Sequence, residues 1–564
     1  MKKIHLILFS ILLAFTLGAC KSKKSEEQMK EKLIDFIERH DSLVKPLMKE
    51  AYTAYYNASI SGNADDFAKV LELENQMTAI FSNPDYFAEL KEIKESEVIK
   101  DEMLLRQLNV LYNEYLGSQG DPDLLRDINA AQNQIEQKYS AFRAKHNNKE
   151  LTDNDIESFL SSSTNSADLE AVWKSHKEIG KLVNNDIITL VKKRNELAQK
   201  LGFKNYHDMS LTLSDQNPAE IDALFDELDE LTKPTFIELK KEMDAYFAER
   251  YKIPAEQLMP WHYQNRFFQE APKIYNIDLD AFYAKVDIVK VCRDFYAGIG
   301  LPVDDILDRS DLYEKPGKNQ HAYCIHIDRE GDVRILCNIR PNEMWAGTML
   351  HELGHAVYDK YIDKNLPFSL REPAHTFTTE AIAMFFGRLS TNAQWMKENI
   401  GISEEDAAKI AEVGFNQLRL QQIVFSRWSQ VMYRFEKGMY EDPDQDLNAL
   451  WWTLVEKYQM IKKPEGRNEP DWASKIHIAT SPCYYHNYHL GELLASQFSF
   501  YLAKNILKSD NVNMLSISNR PEVGSYFRDK VFSLGAKLQW NDMIEKATGE
   551  KLTAKYYAEQ FVKK

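Results

Sequence analysis

Apolar residues recur at intervals typical of one helical face along most of the chain, for example between residues 36 and 48. The periodic run 187–201 ends at Gly202, and glycine is the residue that most often follows a helix end in left-handed backbone. The charged run 219–250 predicts another long helix, which Pro234 should kink or split. The pattern predicts a mostly α-helical protein.

One segment departs from the helical pattern. Two runs rich in β-forming residues, 321–327 and 333–337, flank a turn that contains Gly331 and predict a β-hairpin. A small strand pair in a helical chain can serve packing alone. Alternatively, its edge strand can bind an extended peptide backbone.

Size and charge limit the classes of protein. The chain has 564 residues, of which 44% are hydrophobic, enough for a large core. The formal net charge is −16 and no long basic run follows residue 30, which argues against nucleic acid as a partner. Since no linker rich in proline or glycine interrupts 31–564, we expect one domain. We also expect the protein to be a monomer.

The first twenty residues are typical of a targeting segment. Lys2 and Lys3 precede the apolar run 4–17, which is too short for a transmembrane helix. The run ends before Cys20 in a pattern that resembles a bacterial lipobox. We expect 1–20 to be a lipoprotein signal peptide, 21–30 a polar tether, and Cys20 a lipid-modified anchor in the bacterial envelope, periplasmic or on the outer membrane. An ordinary secretory signal with an incidental cysteine is the alternative.

The other four cysteines are too few and too scattered for a disulfide scaffold. Cys324 and Cys337 could pair in an oxidising compartment. Buried free thiols are the alternative.

The pentapeptide 351–355 reads His-Glu-Leu-Gly-His within a predicted helix, 348–360. Residues four apart lie on one helical face, so His351 and His355 can bind the same zinc ion. Glu352 lies beside them, where it can hold an attacking water. The spacing therefore predicts a catalytic zinc site with one Zn²⁺ per chain.

A catalytic zinc needs a third protein ligand. Glu380 is the best candidate, because it follows His355 by 25 residues and lies in a second predicted helix, 378–386. A carboxylate favoured by the helix dipole is the alternative explanation. The apolar neighbours make a buried, unpaired carboxylate costly without a cation, which favours the ligand.

The chain resembles the angiotensin-converting enzyme family, which comprises zinc peptidyl-dipeptidases of the gluzincin group. The resemblance implies a mostly α-helical ellipsoid with a deep central cleft. It extends from about residue 190 to 495, and earlier residues match only in helical character. The matching segments are 194–198, 201–206, 314–316, 321–322, 366–372, 380–382 and 475–477.

The resemblance assigns catalytic roles around the zinc. It implies that Glu352 is the general base and that a histidine–tyrosine pair supports the oxyanion, which also needs a donor besides zinc. His477 matches the histidine. One extra residue intervenes before the tyrosine, so Tyr488 is the candidate, although Asn487 holds the literal offset. Packing in the core is the alternative role for these aromatic residues.

The resemblance also implies substrate contacts. Lys475 and Tyr484 match residues that hold the C-terminal carboxylate of the substrate, and a surface lysine is the alternative for Lys475. His321 and Ala322 match the edge strand that faces the substrate. The glutamine that completes the carboxylate site has no clear counterpart, and Gln264 is a candidate.

Two positions depart from the family pattern. Met384 stands where an acidic residue orients a zinc-binding histidine, and Asp359 is a possible substitute. His486 stands at the position of a chloride-binding arginine, so chloride activation does not carry over.

These residues together predict a zinc peptidyl-dipeptidase that releases dipeptides from the C-terminus of oligopeptides. An oligoendopeptidase of the thimet-oligopeptidase type is the nearest alternative. A non-catalytic, lipid-tethered binding protein is the alternative from a different class. A structural zinc is usually closed by four ligands, often cysteines, and no cysteine pair lies near 351–355.

Overall fold

The computed structural model describes residues 2–275 and 277–562, and for residues 2–24 it describes the backbone alone. The predicted lipid anchor Cys20 and its leader 1–20 therefore lie outside the residues whose side chains are described. Among the described residues, no helix is both long and apolar enough to cross a membrane.

Helices account for 69% of the structure, which confirms the predicted mostly α-helical fold. The helices in the first half of the chain are α1 (Lys2–Ser61), α2 (Ala64–Phe81), α3 (Pro84–Glu95), α4 (Glu102–Gly117), α5 (Pro122–Ala141), α6 (Asp153–Ser162), α7 (Ser166–Lys200), α8 (Tyr206–Leu213), α9 (Pro218–Tyr251) and α10 (Asp280–Tyr283). Those that follow are α11 (Ile288–Gly298), α12 (Asp304–Leu307), α13 (Glu343–Lys360), α14 (Thr376–Gly387), α15 (Ala393–Asn399), α16 (Glu404–Glu441), α17 (Leu447–Leu454), α18 (His477–Thr480), α19 (His486–Tyr501), α20 (Pro521–Lys530), α21 (Trp540–Thr548) and α22 (Lys555–Phe561). The strands are β1 (Ala144–His146), β2 (Lys149–Leu151), β3 (Tyr323–His326) and β4 (Val333–Leu336).

Local sequence signals explain where the long helices begin and end. The side chain of Asn165 accepts hydrogen bonds from the first backbone amides of α7, and Gly202 follows its end with φ +93° as predicted. Helix α9 runs unbroken across Pro234, so the predicted split does not occur. Its buried residues, such as Phe225 and Phe236, hold the helix against the core on both sides of the proline.

The predicted hairpin is present as the antiparallel pair β3–β4, with Tyr323 opposite Leu336 and His326 opposite Val333. The outer edge of β4 is partly covered, because Asp311 forms a bridge to Leu336. β3 pairs only with β4 among the described strands. Its other edge is therefore the one available to an added strand.

Within the predicted domain 31–564, the described residues form one large hydrophobic core and three smaller clusters. The large core extends from Leu124 to Phe561. The first, third and fourth helices share a separate core that includes Leu33, Leu90 and Leu111. An ion pair between Arg106 and Asp215 joins α4 to the large core.

Close contacts between small residues set the spacing of the central helices. A Cβ atom on Gly354 of α13 would lie 2.8 Å from Cα of Ala383 in α14. On the opposite side of α14, a Cβ atom on Gly491 of α19 would lie 3.2 Å from Cβ of Glu380. Helix α14 is therefore held between two glycines, with the predicted third ligand in the contact.

Candidate metal centre and adjoining cleft

Three predicted ligands lie together on two helices. The Nε2 atoms of His351 and His355 are 3.2 Å apart, one helical turn from each other on α13. Oε2 of Glu380, from α14, lies 3.7 Å from the first of these nitrogens and 3.8 Å from the second. One ligating atom from each residue lies within 4.8 Å of the other two, so the three can hold a single metal ion.

The protonation states of these groups fit a bound cation. Burial lowers the pKa of His351 to about 4, so both ring nitrogens cannot carry protons at neutral pH. Burial, together with the charge of Glu492, raises the pKa of Glu380 to about 7. A neutral imidazole pair beside a buried carboxylate offers two nitrogens and one oxygen, a ligand set that suits Zn²⁺.

Glu352 lies next to the ligands, on the same helix. Its side chain is buried, yet it borders the cavity that contains the two histidines. Burial, and then the charge of Glu380, raises the pKa of Glu352 to about 8. A carboxylate in this setting can accept a proton near neutral pH.

The partners of the histidines differ from the expectation. Nδ1 of His355 lies 2.7 Å from Oγ1 of Thr379. Asp359, the suggested substitute for the missing acidic residue, instead lies 3.9 Å from Sγ of Cys324. The second histidine, His355, thus has a threonine hydroxyl as its partner, and Asp359 is directed to Cys324 instead.

An internal cleft surrounds the metal centre. A cavity of about 690 Å³ is bordered by the three ligands, by β3 and by α1. It shares Glu372 and Thr379 with a second cavity of about 530 Å³, and Glu74 with a third of about 250 Å³. The metal centre therefore lies at a cavity large enough for several residues of a peptide, and two further cavities adjoin it.

The edge of β3 forms one wall of this cleft. Ala322 borders the largest cavity, as do all four residues of β3. His321 is exposed, and its backbone amide donates to Oδ1 of Asn319. The predicted substrate-facing segment thus lies along the cleft, with His321 at its outer end.

The four described cysteines, Cys324 among them, are free thiols.

Lys475 occupies an aromatic pocket. Its Nζ donates to Oε1 of Gln269 at 2.5 Å and lies 5.3 Å from the ring centre of Phe267 and 5.4 Å from that of Trp428. Burial, together with the charge of Arg266, lowers the pKa of Lys475 to about 7. No carboxylate of the described residues lies within ion-pair distance of this Nζ atom. The pocket therefore suits an anionic group from another molecule.

Gln269, rather than the candidate Gln264, is the glutamine in this pocket. Gln264 lies elsewhere, where its Nε2 donates to the backbone oxygen of Ser161. The sequence offered no signal for this choice, because residues 264 and 269 lie in a segment without periodic structure.

Tyrosines connect the lysine pocket to the metal centre. Nζ of Lys475 lies 5.1 Å from the ring centre of Tyr485, not of the predicted Tyr484. The ring of Tyr485 lies 5.4 Å from that of Tyr488, and 5.3 Å from that of His477. Burial, and then the charge of Glu380, raises the pKa of Tyr488 and also that of Tyr484, so both tyrosines respond to the charge of the third ligand.

Tyr484 belongs to the same group of rings. Its ring packs against Tyr488 with centres 5.2 Å apart, and it borders the cavity of about 530 Å³. Placing the extra residue before this tyrosine, rather than after it, would align Tyr485 with the family's carboxylate-binding tyrosine. The sequence alone cannot decide this, since 484 and 485 are both tyrosines.

Buried hydrogen bonds occupy the two polar residues between these tyrosines. Nε2 of Gln216 donates to Oδ1 of Asn487 at 2.7 Å. Oε1 of the same glutamine lies 2.7 Å from Nε2 of His486. The amide oxygen of Asn487 is thus engaged by Gln216.

A mainly helical fold that brings an HExxH pair and a glutamate together defines the class of metallopeptidases with two histidine ligands and one glutamate. Residues 27–561 match the family described as angiotensin-converting enzyme, peptidase family M2. The chain belongs to this family.

The similarity to individual proteins is low but extensive. The chain is 21% identical over 553 residues to angiotensin-converting enzyme of Mus musculus, which covers 91% of this chain and 41% of that protein. It is 22% identical over 258 residues to carboxypeptidase 1 of Bacillus subtilis, or 42% of this chain and 50% of that protein. A Caenorhabditis elegans protein named inactive angiotensin-converting enzyme-related protein is 22% identical over 205 residues, 36% of this chain and 22% of that protein. The chain thus spans less than half the length of the mouse enzyme.

Proposed function

We propose that this protein is a zinc-dependent peptidyl-dipeptidase that removes dipeptides from the C-terminus of oligopeptides. The observation that carries the proposal is the buried Lys475, which forms no ion pair with the described residues and contacts Tyr485, whose ring packs against Tyr488. Such a cation, at a fixed distance beyond the metal, would anchor a free C-terminus and set the position of the cleaved bond.

His351, His355 and Glu380 would hold the zinc ion, which fits their spacing and donor types. Zinc bound there would polarise the scissile carbonyl and lower the pKa of water. Glu352 is the nearest base. It would take the proton of the attacking water and pass it to the departing amine.

Groups on the other side of the metal centre would stabilise the charge that develops on the carbonyl oxygen. The phenol of Tyr488, whose ring packs against those of Tyr484 and Tyr485, can donate a hydrogen bond. Nδ1 of His477 has no hydrogen-bond partner among the described residues, and burial together with Lys475 lowers its pKa to about 4. The histidine would therefore act in its neutral form, as a donor.

The substrate would lie along the edge of β3, including Ala322, and add a strand to the hairpin. Its terminal carboxylate would enter the pocket of Lys475, with Gln269 and Tyr485 as further donors. Tyr484, facing the adjoining cavity, would contact the peptide rather than its carboxylate.

A pair of peptides that differ only at the C-terminus tests the anchor. The free acid should be cleaved far faster than the C-terminal amide, because the amide carries no charge for Lys475. Equal cleavage of both would favour an oligoendopeptidase instead.

The variant Glu352→Gln tests catalysis against simple binding. It should bind zinc and peptide but lose turnover, because an amide cannot accept the proton. If the wild-type protein binds zinc and cleaves no peptide, the non-catalytic binding protein is the better description.

We also propose that Cys20 carries a lipid anchor that holds a monomeric enzyme in the bacterial envelope. The support is the sequence pattern around Cys20. Labelling with a fatty acid should mark the wild-type chain and not Cys20→Ser. Labelling of both, or of neither, would contradict the anchor.

A further inference from the structure

The partner of the second histidine suggests an additional positioning residue. Oγ1 of Thr379 lies 2.7 Å from Nδ1 of His355. Thr379 directly precedes Glu380 on α14, so adjacent positions of one helix supply a metal ligand and the partner of another ligand.

The geometry defines the direction of this hydrogen bond. Nε2 of His355 points to the other two ligands, at 3.2 Å from Nε2 of His351 and 3.8 Å from Oε2 of Glu380. That nitrogen must keep its lone pair to bind a metal, so the ring proton is on Nδ1. Nδ1–H therefore donates to the threonine hydroxyl, which fixes both the tautomer and the ring orientation.

Other groups near the site do not replace this contact. The carboxylate of Asp359 is directed to Cys324. The side chain of Met384 packs between α14 and α19, since a Cβ atom on Gly491 would lie 3.2 Å from its Sδ atom.

We propose that Thr379 is a positioning residue that orients His355 for the metal. The inference rests on the zinc site of the proposed function. Removing a partner of this kind typically weakens metal binding about 10–100-fold. Because Thr379 borders the cleft and is not in the core, valine should fit in its place without disturbing the fold.

The test measures zinc affinity of the full chain by competition with a chromophoric chelator. Thr379→Val should weaken binding about 10–100-fold, and Thr379→Ser should restore it to within a few-fold. Thr376→Val, in the exposed first turn of the same helix, is the matched control and should bind zinc as the wild type does. The visible spectrum of the Co²⁺-loaded protein should change for Thr379→Val alone.

Two results would overturn the inference. One is wild-type zinc affinity in Thr379→Val. The other is equal loss in the valine and serine variants with a lower melting temperature of the metal-free protein, which would indicate packing. A wild-type protein that binds zinc but cleaves no peptide would refute the proposed peptidase activity and leave the role of Thr379 standing.

Discussion

At the scale of single residues, Lys475 distinguishes this site from a bare metal centre. Only 6% of the residue is exposed, and its hydrogen bond goes to the neutral Gln269. Aromatic rings stabilise a cation only in part, so an incoming carboxylate would gain a strong charge-assisted bond. The lysine should therefore act on substrate binding.

Replacing Lys475 with methionine should raise KM for peptides with a free C-terminus about 100-fold, the loss expected for one partner of a buried charge pair. KM for the C-terminal amide should not change. Steady-state kinetics with both peptides checks this, with Lys462→Gln, an exposed lysine, as the control. A loss shared by both peptides would show that Lys475 supports the fold and not the carboxylate.

The pH dependence of KM provides a separate check on the same residue. Because burial lowers the pKa of Lys475 to about 7, its charged fraction in the free protein falls as the pH rises above 7. KM for the free-acid peptide should then rise, approaching about tenfold per pH unit. In Lys475→Met this rise should be absent, and an identical pH profile in both proteins would refute the assignment.

The residues that the sequence could predict are those whose spacing follows a regular element. His351 and His355 are four apart on a helix, and Glu380 lies near the start of the next one. Gln269 and Tyr485 could not be predicted in this way. Gln269 lies in a loop without periodic structure, and the sequence does not show whether the extra residue falls before or after Tyr484. Thr379 was missed because a carboxylate is the expected partner of a zinc-binding histidine.

At the scale of elements, the metal centre depends on how closely α13 and α14 approach. The apolar periodicity predicts the helices, and the β-forming runs predict the hairpin. The separation of α13 and α14 cannot be predicted in this way, because it depends on which residues face each other where the two helices cross. Gly354 faces Ala383 there, with no space for a side chain.

Gly354→Ala should force the two helices apart and move Glu380 relative to the histidines. The cost of such overpacking is about 1–3 kcal/mol, and zinc affinity should fall with the melting temperature. Gly117→Ala is the control, since its Cβ would meet only Leu213 at an ordinary 3.4 Å. Unchanged zinc affinity in Gly354→Ala would show that the crossing does not set the ligand geometry.

At the scale of the whole molecule, the N-terminal helices form part of the cleft. Tyr52 and Tyr55 of α1 and Glu74 of α2 border the same cavity as the metal ligands. The sequence resemblance was placed only from about residue 190, whereas the family match begins at residue 27. These helices contribute walls rather than ligands, so few of their residues must keep a fixed identity and the similarity is hard to see.

Removal of the metal should lower stability without unfolding the chain. The large core from Leu124 to Phe561 packs without help from the metal, but zinc that binds only the folded state adds about 4 kcal/mol at a thousandfold excess over Kd. Dialysis against a chelator should therefore lower the melting temperature by several degrees and leave the far-ultraviolet circular dichroism unchanged. Loss of helical signal on chelation would show that the fold depends on the metal.

The most direct test of the central claim is mass spectrometry of the products formed from a mixed pool of peptides. The account predicts successive losses of two residues from free C-termini, absent in Glu352→Gln and after chelation. Cleavage at internal bonds regardless of the distance to the C-terminus would contradict it.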